Sequence, residues 1–380
     1  MTRPVEFGVF LPVGQGGFIV STTRPPTPAT YVYNRQVVQL AEELGLGFVI
    51  SQARWRGFGG PSGHNDVTLE SITTTAALAE CTRRIQLFCT IHTMAFHPAV
   101  AAKMVATIDE ISGGRVGVNL VAGSNPIDHG QMGIWRDLDH AQLYEVATEW
   151  ITVAKRLWTE PRVDFVGKHY QLVDCMSNPK PVQQPNPPIL CAATSDTGMR
   201  FTMQHADASL VNGMDRADLA RNGRRAKELA AEMGGSTRSV GLVMFVPGET
   251  DAEAQARVDY FNAGADVEAM AARTWEYSQS AKEWSRDEAL RRETLKNFPD
   301  GRTPAAITRN AVVGSIDTLV KQISELIEDG DFDWLGFYFP DYVADLEVFG
   351  RQVLPRLVAS GVGLSHTARP SLFKALTTTI

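Results

Sequence analysis

The sequence predicts a (β/α)8 barrel, α/β in class and decorated by insertions. Short apolar segments alternate with segments of helical period along nearly the whole chain, in eight successive strand–helix units. The apolar segments are not broken by polar alternation, which implies burial on both faces, as in a parallel sheet covered by helices. Eight such units close into a barrel.

In order, the predicted strands are Val5 to Pro12, Gly47 to Trp55, Ile85 to Thr93, Arg115 to Gly123, Ile189 to Thr194, Ala208 to Asn212, Val240 to Val246 and Trp334 to Phe339. The helices expected between them are Tyr31 to Leu44, Ser71 to Cys81, Pro98 to Ile111, His140 to Leu157, Thr197 to His205, Arg216 to Met233, Asp251 to Ala263, Ile316 to Ile327 and a last one from Tyr342 to Val358. Pro98 suits a first helical turn, where its missing N–H does no harm. Gly113-Gly114 breaks the third helix before the fourth strand. The segment "VDFVGKHYQL" reads as a short hairpin, followed by a Pro-rich connector. The stretch Asp266 to Ala311 is polar and reads as helical in part and weakly packed. One domain over 1–380 is expected, with insertions at about 124–138, 161–188 and 266–311.

Composition excludes several classes. The hydrophobic fraction of 44% and charged fraction of 21% are those of a globular protein. A formal net charge of −7 argues against nucleic acid as partner. No apolar run is long enough to span a membrane, and the N-terminus reads as a strand rather than a signal peptide. The four cysteines, Cys81, Cys89, Cys175 and Cys191, form no CxxC pair. They read as buried free thiols in a reducing cytoplasm. No metal site is expected, because the histidines include no HExxH, and His92 and His97 do not read as a pair.

A barrel of this kind places its chemistry at the C-terminal strand ends. These offer Ser51, Gln52, Ala53 and Arg54 after the second strand, Thr90, His92 and Thr93 on the third, Asn119 and Ser124 on the fourth, and Thr194, Ser195 and Asp196 after the fifth. This ring is polar yet has few carboxylates, no paired acids and no nucleophile elbow. Chemistry so sparse points to a cofactor. Asn119 stands in the middle of an apolar strand, where an unpaired amide is costly. It either closes a neighbouring loop or meets a ligand. Ser195-Asp196-Thr197-Gly198 opens a helix and is either an anion site or a plain cap. Arg54 is either a salt bridge or a ligand contact, and Thr90 alone is an ordinary β-former. Trp55, Phe58, Met94 and Phe96 read as core.

The segments "GVFLPVGQGGFIVST", "RGFGG", "LESIT", "ATIDEISGGRVGVNLVAG", "QMGIW", "DFVGKHYQL", "NPKPVQQPNPPI" and "SDTGM" together resemble those of the bacterial-luciferase-like flavin-dependent monooxygenases. Within that superfamily the chain is most similar to the pyrimidine monooxygenases that open the uracil ring. The resemblance spans Gly8 to Gly198 and continues more weakly to the last barrel helix. It implies reduced FMN (FMNH2) delivered by a separate NAD(P)H:flavin reductase, O2 as co-substrate, and oxidative cleavage of a pyrimidine-like or other small heterocycle through a flavin peroxide. A homodimer or homotetramer is the assembly expected. The flavin contacts it implies fall on Ala53, Arg54, Asn119, Asp128, Tyr144 and Ser195. The oxygen-positioning pair falls on Thr90 and Asn119, and the substrate pocket on Ile50, Gln52, His92 and Ser124. The chain departs from the pattern where Asp128 replaces a glutamate, Leu143 an arginine, Ser124 a tryptophan, Gln52 a methionine and His92 a small residue.

Three other readings are compatible with these residues. A sulfone or alkanesulfonate monooxygenase predicts a basic pocket, for which Arg54 and Arg56 are available. A riboflavin lyase would use the room left at Ser124. A flavin-sequestering protein would bind without turnover.

Overall fold

The computed structural model describes residues 4–122, 126–136, 138–193, 195–280 and 304–364. The strands, in chain order, are β1 (Pro4–Leu11), β2 (Phe48–Ser51), β3 (Gln86–His92), β4 (Val116–Val121), β5 (Val163–Val166), β6 (Gln171–Cys175), β7 (Ile189–Ala192), β8 (Ala208–Val211), β9 (Arg238–Pro247), β10 (Val312–Gly314), β11 (Trp334–Tyr338) and β12 (Gly363–Leu364). Eight of them close a parallel barrel in the order β1-β2-β3-β4-β7-β8-β9-β11 and back to β1. These are the eight strands the sequence predicts.

The inward face of the barrel carries Phe48, Ile50, Phe88, Leu190, Ala208, Leu210, Val240 and Trp334, packed as one apolar cluster. A larger cluster lies between the strands and the helices, so each strand is buried on both faces, as its apolar run required. Gly117 is a glycine because the Phe88 ring occupies the space its Cβ would take. The step that keeps Phe88 and Gly117 inward also turns Thr90 and Asn119 inward, since strand side chains repeat every second residue.

The motif that opens β4 does structural work at the opposite end of the barrel. The helix Pro98–Ser112 is capped at its start by the His97 ring and stops at Gly113, whose φ of +64° suits glycine. Arg115 then fans its guanidinium over the carbonyls of Ala79, Thr82, Ile85 and Ser112 and the Thr82 hydroxyl, at 2.8–3.1 Å. One side chain thereby ties the end of the preceding helix, Ser71–Glu80, to the starts of β3 and β4. The connector motif acts similarly. Lys180 donates to the carbonyls of Leu157 and Glu160, while Gln183 bonds both Asp109 oxygens and the Val116 carbonyl.

The structure corrects several boundaries. β2 ends at Ser51 rather than Trp55, because the chain must leave the barrel there to carry the loop Gln52–Arg54 around its rim. β9 runs longer than Val240–Val246, and its far end pairs with β10. Neither β10 nor β12 is expected from the sequence. Both are too short to show periodicity. The last helix is three pieces, Ala344–Val348, a π-helical turn Phe349–Val353 and Leu354–Ala359. Pro355 has no N–H for the helical ladder, so the turn before it is wound differently. Within the excursion at 124–138 the chain forms a short helix, Pro126–Gln131. The polar stretch after Asp266 begins as the helix Val267–Ser280, with Ala269, Met270, Thr274 and Glu276 buried. That overturns weak packing for this part, while 281–303 lie outside the described residues. The predicted hairpin forms as β5 and β6, held to the helix His140–Thr159 by three backbone N–H groups that donate to Glu149.

Arg115→Lys should destabilise the barrel, since an ammonium cannot reach five acceptors arrayed around a fork. The expected loss is about 2–4 kcal/mol, read from chemical denaturation with an unchanged m-value. A loss below the error of that measurement would deny Arg115 this clamping role.

Candidate active site

Thr90 and Asn119 face each other across β3 and β4 in direct register. Both are buried, at 4% and 3% exposure. The Asn119 Nδ2 donates to Thr90 Oγ1 at 2.9 Å. Thr90 Oγ1 in turn donates its hydrogen to the Ser51 carbonyl at the end of β2. A hydroxyl has one proton and a carbonyl can only accept. Thr90 must therefore accept from Asn119, which dictates how the amide is turned. Its Nδ2 points to Thr90, and its Oδ1 is left buried with no partner among the described residues.

Beneath this pair the helix Ser71–Glu80 supplies support. Thr90 N donates to Ser71 Oγ at 2.8 Å, and the Ser51 and Ser71 hydroxyls lie 2.5 Å apart. The start of that helix is fixed by Glu70, whose carboxylate accepts from the Ile72 and Thr73 N–H groups. Ser51 was offered by the sequence only as a strand-end residue, and Ser71 was not among the expected site residues, although it lies in the "LESIT" motif. Ile50, wholly buried, belongs to the apolar floor inside the barrel.

The rim beyond the pair is charged but internally matched. Arg54 Nη2 meets Glu276 Oε2 at 2.6 Å, with side-chain exposures of 8% and 1%. Its Nε donates to the Arg56 carbonyl at 2.8 Å, and its guanidinium lies 4.0 Å from the Phe58 ring centroid. Asp128 is fully buried, accepts from the Trp55 N–H at 3.3 Å and stands 3.9 Å from Arg54. Burial pushes the Glu276 carboxyl up against the opposing pull of Arg54. Arg54 is thus a buried ion-pair partner, so one of the two cations expected for a sulfonate pocket is already taken, while Arg56 is exposed. Glu276 escaped the sequence reading, because it sits in the stretch taken as weakly packed.

Three buried histidines stay neutral here. Burial, with His129 and Arg54 adding to it, pushes the His92 imidazole down to about 3. His92 meets the His129 ring edge to face at 5.5 Å, and burial pushes His129 down to about 4. The Ala53 carbonyl faces the His92 ring. His64, held at about 3 by burial and nearby arginines, stacks on Phe58 and accepts from Asn65 Nδ2 at 3.1 Å. Gln52 donates to Asn65 Oδ1 at 3.1 Å, so its amide is held to the Asn65 side of the rim. Among the described residues no cluster suited to a metal ion occurs.

A second group lies at the helix Asp196–His205. Ser195 Oγ caps it by accepting from the Gly198 N–H at 3.1 Å. The Tyr144 hydroxyl and Ser195 Oγ both border the space that a Cβ at Gly198 would fill. Tyr144 packs on Phe201, with ring centroids 5.1 Å apart. Leu143 is buried. Ser124, expected in the substrate pocket, and Thr194, expected at the rim, lie outside the described residues.

A parallel barrel whose C-terminal mouth is lined by amides and hydroxyls over an apolar floor offers binding groups and little chemistry of its own, as where a cofactor carries the reaction. The family model described as luciferase-like monooxygenase matches residues 5–332. The chain is 33% identical to the pyrimidine monooxygenase RutA of Acinetobacter baylyi, over 93% of this chain and 95% of the relative. It is 35% identical to the RutA of Escherichia coli, over 92% and 96%. Among solved structures, riboflavin lyase RcaE with modified FMN and riboflavin superposes with a TM-score of 0.83 at 21% identity, covering 99% of this chain and 96% of that one. The long-chain alkane monooxygenase LadA gives 0.79 at 19%, covering 98% and 96%. This chain belongs to the luciferase-like monooxygenases. It is a monooxygenase that depends on reduced flavin and O2.

If Thr90 acts by orienting Asn119, Thr90→Val should weaken reduced-flavin binding about ten-fold, the effect of one buried hydrogen bond, and Thr90→Ser should restore it. If its proton serves oxygen instead, affinity would hold while product per flavin consumed falls by about 10²–10³-fold. Equilibrium titration under anaerobic conditions, followed by product and peroxide assay, separates the two.

The neutral histidines set a pH dependence. Each has its folded value depressed below an unfolded value near 6.5, so acid favours the unfolded chain. Stability should be full above that pH and decline as pH falls from there toward about 4 and 3. For His92 the slope is at most about 1.4 kcal/mol per pH unit. Denaturant unfolding at a series of pH values should show a shallower slope for His92→Asn. An equal slope would deny His92 this role.

Proposed function

We propose that this chain uses reduced FMN, delivered by a separate NAD(P)H:flavin reductase, to oxygenate a small neutral heterocycle of the pyrimidine kind. The observation that carries the reading is the buried Asn119 Oδ1, without a partner among the described residues and turned away from Thr90. A buried acceptor of this kind calls for a donor, from a water or from a ligand, and both the flavin edge and a cyclic amide carry an N–H that would serve. The phosphate end also fits. Ser195 Oγ and Tyr144 OH crowd Gly198 at the start of the helix Asp196–His205, where N–H groups and the dipole favour an anion. That favours FMN over riboflavin, although Leu143 supplies no cation there and the margin should be small.

When bound, the reduced flavin supplies the two electrons with which one atom of O2 enters the substrate and the other becomes water. The protein's own groups bind and orient. Asn119 holds a donor through Oδ1, Thr90 and Ser51 keep the amide from turning, and Ile50 with its apolar neighbours excludes water from the floor. The loop residues Ala53 and Arg54 and the buried Asp128 shape the rim around the flavin. Gln52 and His92 border the substrate side, with His92 as a neutral ring. The relatives at 33–35% identity, named pyrimidine monooxygenases, support this substrate class.

The test is single turnover. Protein reduced with FMN in the absence of air is exposed to isotopically labelled O2 with pyrimidines, sulfones or riboflavin, and products are weighed by mass spectrometry. One labelled oxygen in a pyrimidine-derived product is expected, with FMN bound more tightly than riboflavin. Label found only in peroxide and water for every pyrimidine would overturn the substrate class.

A further inference from the structure

Arg54 stands three residues beyond Ser51, whose carbonyl anchors Thr90, and its charge bears on the His92 imidazole at the end of β3. It therefore belongs to the rim through which any substrate reaches Asn119. An arginine in such a place, desolvated and free, would be the strongest attractor of an anion in the site. This one is not free. Glu276 takes Nη2, the Arg56 carbonyl takes Nε, and the Phe58 ring covers one face. Glu276 comes from the helix Val267–Ser280, which packs against Pro126–Gln131 beside the mouth. Its carboxylate also faces the Ile127 backbone and the charge of Asp128.

We propose that Glu276 is a specificity-determining residue: by occupying Arg54 it closes the barrel mouth to anionic substrates and reserves it for neutral ones. An incoming sulfonate or carboxylate would have to displace a nearly dry carboxylate and leave it without its cation, beside a second buried carboxylate at Asp128. Selection by making the wrong ligand unfavourable requires no contact to the right one. The inference extends the proposed preference for a neutral substrate but depends only on which ligands the mouth admits.

The experiment is calorimetric titration of the full chain, with FMN present, using ethanesulfonate and its neutral counterpart dimethyl sulfone. Wild type, Glu276→Gln and the double variant Arg54→Gln with Glu276→Gln are compared. Expected is a gain of about ten-fold or more in sulfonate affinity for Glu276→Gln, the scale of one charge-assisted bond, lost again in the double variant. The sulfone should show no such change. Should Glu276→Gln fail to fold, Glu276→Asp draws the carboxylate back from Arg54, and a gain of about three-fold is expected. A folded variant that binds ethanesulfonate no better than wild type overturns the proposal, as does a gain that survives removal of Arg54. No turnover is read, so a wrong substrate class leaves this result interpretable, and a failure here leaves the flavin site untouched.

Discussion

A threonine hydroxyl has one proton, and in this barrel the Ser51 carbonyl takes it. Everything about the mouth follows from that allocation. Thr90 is left able only to accept, so Asn119 must donate to it. The opposite edge of the amide is then an acceptor, buried and unanswered among the described residues. Leaving such a group unpaired costs about 1–3 kcal/mol. The folded chain carries that cost in waiting, and a bound donor relieves it. The strands make the allocation possible, since Thr90 and Asn119 are in register and Ser51 ends one strand over.

The surroundings act in the same direction by removing charge. His64, His92 and His129 are held neutral by burial, and Arg54 is matched by Glu276. The Arg54 charge is paired within the wall instead of offered to the lumen. A site where oxygen is to be handled gains from this, because water and stray protons divert reduced flavin to peroxide. The histidine at position 92, a departure from the pattern of relatives, does not make the mouth cationic. As a neutral ring facing the Ala53 carbonyl it narrows the mouth without charging it.

The legible parts of this molecule were those written in local pattern. The eight barrel strands were visible because each is apolar on both faces, and the turn at Gly113 because a double glycine follows a helical run. Asn119 was conspicuous for the reverse reason, a polar residue where the period demanded an apolar one. Glu276 was not legible. Its partner Arg54 is 222 residues away, and nothing in the polar sequence around it announces burial. β10 and β12 were missed because three-residue and two-residue strands carry no period. The surroundings of Gly198 were half visible: the cap at Ser195 shows in sequence, whereas the Tyr144 hydroxyl that crowds Gly198 arrives from another helix.

The motif "SGGRVGVNL" shows why a family signature and an active site are different things. Arg115 and Asn119 stand four residues apart in one short stretch, yet they serve opposite ends of the barrel. Arg115 binds helix ends at the N-terminal rim, where the fold is stabilised. Asn119 faces the mouth, where chemistry occurs. The strand between them sets their separation and their facing, and Gly117 lets Phe88 fill the interior between the two. A change at either residue would mark the sequence equally, but one would cost stability and the other affinity. The same division holds for "NPKPVQ", whose Lys180 and Gln183 are wholly spent on carbonyls and on Asp109. Resemblance through such motifs therefore speaks first for the scaffold. The inward positions at the other rim, Gln52, His92 and the Arg54–Glu276 pair among them, are set by contacts such motifs do not contain.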